Sequence, residues 1–347
     1  MEALADPATP GLIKIPPAEV PPLCRTTVSL TKSSLPARGS KSIPHCEKPL
    51  IVQSSMWRLP PAMNRTMALL MCLALLTAGC SPRAAATPPP VYETGVDPES
   101  WVKVPAGDFL QGIHEARTPM ASGYEIMVTD VTNGQYARYL NAALAAGKVK
   151  VVGDNVVGYY AGDAFHGVRH EERIDAGDWV HVPINNADLR LTYDGKSFGA
   201  KPGYQNHPMT VVTWFGAKAY CEFNGGRLPT EAEWEKAARG TDARPYPSGN
   251  ELVKNAANYY ASGDPFEKGT GSLGDTTPVG FYNGKAYDGY QTVNSPSAYG
   301  AYDMAGNVWQ WTADVYEGQH YRYMRGGSKA DYGYDLRVWT RNNARPD

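Results

Sequence analysis

Cysteine is scarce in this chain, with five among 347 residues and none beyond Cys221. The C-terminal part therefore has no thiol to attack a substrate, to pair in a disulfide or to hold a soft metal ion. Long apolar runs are missing as well: the stretch Met67 to Leu76 falls well short of the roughly 20 residues that a membrane-spanning helix needs. No internal repeat, phosphate-cradling glycine loop, dinucleotide fingerprint or Ser/His/Asp order emerges. A basic excess is also lacking, since 33 Lys and Arg stand against 35 Asp and Glu for a formal net charge of −2. Nucleic acid is not an expected partner.

What is present begins with an N-terminal region unlike the rest. Residues 1–62 are rich in Pro, Ser and Lys without sustained periodicity and read as a leader outside the folded domain, with Met63 or Met56 as the expected true start. Residues 63–79 run from Met63-Asn64-Arg65 through a short apolar core to Thr77-Ala78-Gly79, just before Cys80. This pattern resembles a bacterial lipoprotein signal, and implies export, lipidation at Cys80 and anchoring in the cell envelope. Residues 80–98, with Ala84 to Pro90 reading AAATPPP, have the composition of a tether, and residues 99–347 form the expected domain. Only Cys80 and Cys221 would then remain. Cys221 sits in an apolar helical segment, where a small buried hydrophobe is the default.

Local signals predict three helices in a mixed α+β domain. Thr132 with Gln135 forms a capping box ahead of Tyr136, Tyr139, Leu140, Ala143 and Leu144 at helical spacing. A second helix starts near Thr213 and stops at Asn224-Gly225-Gly226. A third runs from about Glu231 to Arg239 behind Thr230 and Glu233, so Glu231, Glu233 and Glu235 read as charges favoured at a helix start. His166, His170 and His181 lie near Asp163, Asp175 and Asp178, but the surrounding glycines and missing apolar stripe favour a solvated loop over a metal site. His207, before Pro208, reads as structural.

The stretch Tyr302-Asp303-Met304-Ala305-Gly306-Asn307-Val308-Trp309-Gln310-Trp311 offers oxygens of the kinds Ca²⁺ takes in sets of about six to eight. It also reads as a Gly-Asn turn entering a strand whose Trp309 and Trp311 share one face. Together, GRLPTEAEWEKAARG from Gly226 to Gly240 and YGAYDMAGNVWQWTAD from Tyr299 to Asp314 resemble the paired signature of the formylglycine-generating enzyme (sulfatase-modifying factor) family. The resemblance covers roughly Trp101 to Asp347 and implies a C-type lectin-like α+β fold with few helices and much irregular chain. Residues 148–199 match least and read as a variable insertion.

That resemblance implies structural calcium at Asp303, Gly306, Val308 and Gln310, where Gln replaces the usual Glu. A second calcium site would use Asn258 and Tyr259, with Asp264 or Asp275 as its later ligand. The family's oxidases use two cysteines after a GGS turn to hold Cu(I) and convert a sulfatase cysteine to formylglycine. Here Arg325-Gly326-Gly327-Ser328 leads to Asp331 and Leu336 at those two places, so copper is not expected. The favoured reading is a lipid-anchored, non-oxidase module that binds a polar ligand, peptide or protein through Ser328, Asp331, Tyr332, Tyr334, Asp335 and Trp339. The alternative is a formylglycine-generating oxidase or a divergent enzyme of the same family.

Overall fold

A computed structural model describes residues 20–28, 88–260, 262–267, 274–316 and 318–347. The signal at 63–79 and the lipidation position Cys80 lie outside the described residues. The chain divides into two compact units, Met1–Leu30 with Pro89–Asp347, and Thr31–Pro88. The first unit holds every element described below.

In chain order its strands are β1 (Thr27–Val28), β2 (Trp101–Val104), β3 (Phe109–Gln111), β4 (Ala116–Thr118) and β5 (Tyr124–Met127). Helix α1 (Asn133–Ala145) follows, then β6 (Val149–Val152), β7 (Asn155–Tyr160), β8 (Gly177–Pro183), β9 (Leu191–Tyr193) and β10 (Phe198–Ala200). Helices α2 (Trp214–Phe223) and α3 (Glu231–Arg239) precede β11 (Ala286–Tyr287), β12 (Tyr290–Gln291), β13 (Trp309–Tyr316), β14 (Tyr321–Arg325) and β15 (Arg341–Ala344). Three α-helices and several small antiparallel sheets among the described residues make this a mixed α+β fold. The largest sheet has the order β1-β13-β14-β15, and the expected insertion contributes the three-stranded sheet β6-β7-β8.

The helices form where capping chemistry places them. Thr132 accepts a hydrogen bond from Gln135 N at 3.1 Å while its own N–H donates to Gln135 Oε1 at 2.8 Å. Thr230 and Glu233 repeat the arrangement at α3, and Thr213 accepts from Gly216 N at α2. Each box satisfies N–H groups that a helix start otherwise leaves unpaired. The buried faces of α1 and α2, with Tyr136, Leu140, Phe215 and Cys221, join Trp309, Trp311 and Met324 in the main core. A second core packs Trp234 of α3 with Val104, Ile126, Met304 and Val338.

The N-terminal segment corrects the expected organisation. Val20–Val28 belong to the domain: Leu23, Cys24, Arg25, Thr26 and Thr27 are all buried. Their backbone is stitched in on three sides, with Leu23 N donating to Glu125 O at 2.8 Å, Cys24 N to Arg227 O at 2.9 Å, and Trp311 N to Thr26 O at 2.9 Å. A segment of Pro, Leu, Cys, Arg and Thr has no period of its own; here tertiary hydrogen bonds impose the extended conformation. The expected tether is shortened as well. Tyr92 packs on Phe266, Phe281 and Tyr287, and Thr94 O accepts from Asn283 and Lys285, so the domain is already under way before residue 99.

Candidate functional site

Sequence motifs around residue 303 converge on a buried polar knot built around Arg25. Its Nε donates to Gln310 Oε1 at 3.1 Å, and its Nη1 donates to the carbonyls of Tyr302 at 2.6 Å and Val128 at 3.1 Å. Its Nη2 lies 3.1 Å from Asp130 Oδ1, and both side chains are wholly covered. Gln310 Oε1 also accepts from Trp234 Nε1 at 2.8 Å, while Gln310 Nε2 donates to Asp303 O at 2.7 Å. Asp303 takes the Gly280 N–H at 2.7 Å. Burial pushes its carboxyl up to about 6, against the pull of Arg25 and of that N–H.

This arrangement does not fit calcium at Asp303, Gly306, Val308 and Gln310. The Gln310 oxygen is already taken by two donors, and a guanidinium stands within Coulombic reach of the Asp303 carboxylate. A second cation there would meet the first one. The turn explains its own sequence instead: Asp303, Gly306 and Asn307 have φ of 57°, 75° and 61°. A Cβ on Gly306 would sit 2.1 Å from Asn258 O, and Asn307 N donates to that same oxygen at 2.7 Å. Asn258 is thus tied into the turn. Its supposed acidic co-ligands are spent on protein donors, Asp264 on Ser262, Tyr282 and Phe266, and Asp275 on Tyr204 and Thr276. Tyr259 lines a surface cleft.

That cleft, of about 740 Å³, is the concave face the fold makes from the C-terminal turn. Arg325 sets it up. Its guanidinium pairs with Glu235 and donates to Val338 O at 3.0 Å, which anchors the chain beside Trp339. Glu235 is therefore the buried hub of a network with Arg325, Arg239 at 2.9 Å and the Gly112 N–H at 2.6 Å, and it lies beyond the first turn, where Glu231 and Glu233 are the helix-start charges. Gly326 and Gly327 have φ of 97° and 73°, and a Cβ on Gly327 would stand 3.0 Å from Leu336 Cδ1. The turn then closes through the 3-10 segment Gly333–Leu336.

Of the residues expected on this face, Tyr334 and Trp339 line the cleft with Tyr259. Ser328, Asp331, Tyr332 and Asp335 do not. The Ser328 hydroxyl donates to Asp331 Oδ2 at 2.5 Å, and Tyr332 turns to the Tyr260 ring at 5.2 Å between centroids. Burial and the negative charge of Asp331 raise the Asp335 carboxyl. Tyr246, Asn250, Glu251, Leu252 and Arg337 also line it, with Pro245 and Gly333, and carried no signal in the sequence. The bond from Val338 N to Pro245 O, 2.9 Å, brings their two segments together, and nothing local signals it. Arg239 and Arg337 stand over the Trp339 ring at 5.4 and 5.9 Å. The cleft offers stacking faces, amide and phenol hydrogen bonds and one charge of each sign, but no thiol or imidazole.

At the two places where the resemblance puts the oxidases' thiolates, this chain carries other groups. Asp331 is a hard carboxylate already bonded to Ser328, and Leu336 is fully buried against Tyr246 and Ala257. Cu(I) prefers sulfur. The two described cysteines, Cys24 and Cys221, are buried elsewhere in the main core, and burial pushes the Cys221 thiol well up. Cys221 is inert packing in this setting. His207 is likewise structural, with Nδ1 2.8 Å from Thr276 Oγ1 and burial lowering its pKa to about 4.

A mixed α+β domain carrying these paired motifs defines a sulfatase-modifying-factor-type module. The chain belongs to this family: its model, described as the sulfatase-modifying factor enzyme 1-like domain, matches residues 88–347. Among curated relatives, the formylglycine-generating enzyme of Mus musculus is 28% identical over 282 residues, covering 71% of this chain and 71% of that protein. The mouse inactive C-alpha-formylglycine-generating enzyme 2 is 38% identical over 148 residues, covering 40% and 45%. A protein of Chlamydia caviae named serine/threonine-protein kinase pkn1 is 30% identical over 272 residues, 71% of this chain. This chain spans only 35% of that longer protein, and the kinase name describes the longer protein. PvdO from Pseudomonas aeruginosa overlays with a TM-score of 0.44 at 24% identity, covering 76% of this chain and 95% of PvdO.

Proposed function

We propose that this chain is a non-oxidase member of its family that binds a polar peptide or protein segment in the cleft lined by Tyr246, Tyr259, Tyr334, Arg337 and Trp339. The observation that carries this reading is the pairing of Asp331 with Ser328 and the burial of Leu336 where the oxidases would place two thiolates. Rigid aromatic rings supply contact area at little entropic cost, and Glu251 and Arg337 supply directional polar contacts. Incubation with Cu(I), oxygen and a cysteine-containing sulfatase peptide is expected to yield no aldehyde by mass spectrometry beside an active oxidase control. Multiple turnovers would establish the oxidase reading, which the likeness to the mouse formylglycine-generating enzyme favours.

We also propose export and lipid anchoring at Cys80, on the strength of the Thr77-Ala78-Gly79-Cys80 pattern. This reading carries a structural consequence. Cleavage before Cys80 would sever Val20–Val28, and with them the buried Arg25, from the rest of the domain. The mass of the N-terminus of membrane-extracted protein tests it: an acylated Cys80 is expected, and a chain still beginning upstream would refute it.

A further inference from the structure

Of His166, His170 and His181, which had no periodic partner in the sequence, only His166 finds partners in space, and they are Glu171 and His320. The loop after β7 meets the hairpin joining β13 to β14, where His320 is held at φ 60°. Glu171, whose side chain is fully covered, is fixed by the backbone N–H groups of His166 at 2.9 Å and Val168 at 3.1 Å. Its Oε1 lies 3.1 Å from His166 Nδ1 and 2.9 Å from His320 Nε2. One donor atom from each of the three residues falls within 4.8 Å of the others. The other ring nitrogen of His320, Nδ1, is buried without a hydrogen-bond partner and faces Asp163 Oδ2 across 3.9 Å. Asp163 is itself pinned by Arg322 at 2.5 Å and by the Tyr160 hydroxyl at 2.6 Å.

We propose that His166, Glu171 and His320 form a binding site for one divalent transition-metal ion of the Zn²⁺ class, open toward the adjacent surface cavity. The donor set of two imidazoles and one carboxylate is the kind such ions take, with bonds of about 2.0 to 2.2 Å. Tetrahedral ligands at those lengths stand about 3.3 Å apart, close to the two spacings that already involve Glu171. Only the two imidazoles must draw together, and His166, 68% exposed, has the freedom to move. The ion would sit among the two ring nitrogens that now converge on one carboxylate oxygen. Asp163, 3.9 Å from His320 Nδ1, lies on the side from which a carboxylate commonly orients a metal-bound histidine, at a distance longer than a hydrogen bond. His166, His320, Val168, Arg169 and Val315 line a cavity of about 870 Å³ beside the cluster, which leaves a route for solvent or a small anion to the remaining coordination positions.

The site is independent of the cleft at Trp339, so the two proposals stand or fall separately. The test uses untagged, chelator-stripped full-length protein titrated calorimetrically with Zn²⁺ in excess Ca²⁺ and Mg²⁺, with Co²⁺ absorption as a spectroscopic report of ligand type. One equivalent of Zn²⁺ is expected, with Co²⁺ bands in the visible that carry the signature of nitrogen and oxygen ligands. His166→Ala, at an exposed position, is expected to keep the melting temperature of the apoprotein. It should weaken Zn²⁺ by at least about a hundredfold, more than the tenfold to hundredfold typical of losing an outer-shell partner. His320→Gln should abolish the Co²⁺ bands. Absence of saturable Zn²⁺ binding, or binding unchanged in His166→Ala, would overturn the proposal.

Discussion

Replacing Arg25 with alanine is expected to cost about 3 to 5 kcal/mol of unfolding free energy, the range for breaking a buried ion pair by removing one partner. The guanidinium satisfies Gln310 and the carbonyls of Tyr302 and Val128, and it is the only cation paired with Asp130 among the described residues. Burial pushes the Asp130 carboxyl well up even with Arg25 beside it; without Arg25 the buried carboxyl is left with the like charge of Asp303. Arg25→Ala should therefore lower the urea midpoint sharply, and Asp130→Asn in the same chain should restore part of the loss by removing the orphaned charge. A loss under about 1 kcal/mol would show that Val20–Val28 contribute little to the domain. Protein processed at Cys80 would no longer carry this segment covalently, so comparing the urea midpoints of the processed chain and the unprocessed chain also weighs the two readings of the N-terminus.

Trp234→Ala is expected to be as damaging, at about 3 to 5 kcal/mol for a large aromatic removed from a filled core. Trp234 is wholly buried on α3, packs in the second core, donates to Gln310 Oε1 and lies under the Arg325 guanidinium at 5.4 Å. Its loss opens a cavity and removes one of the two donors that fix Gln310. Because Arg25 supplies the other, the double substitution should depart from additivity by about 0.5 kcal/mol or more, as neighbours sharing one acceptor do. Trp234→Phe keeps most of the volume and loses the indole N–H, so it should cost clearly less. Additive losses from Arg25→Ala and Trp234→Ala would mean that the shared Gln310 contact is energetically unimportant.

The parts of this protein that the sequence determined unaided are those whose forces act between near neighbours. Thr132 with Gln135, Thr213 with Gly216, and Thr230 with Glu233 each close a hydrogen bond three residues apart, so all three helices and their N-caps were legible. The family was legible for a related reason, because Gly306 and Asn307 are demanded by local φ values and by one close backbone approach. The lining role of Tyr334 and Trp339 could be anticipated, but their partners Tyr246, Glu251 and Arg337 could not. Cation identity at Asp303 depended on tertiary structure alone: the ligand-like oxygens are visible in the sequence, yet Arg25, 278 positions away, occupies their charge. Likewise Glu171 lies between His166 and His320 only because a loop and a distant hairpin meet. Contacts of this range carry no periodicity, and burial decides them by making a polar group find whichever partner the fold brings within reach.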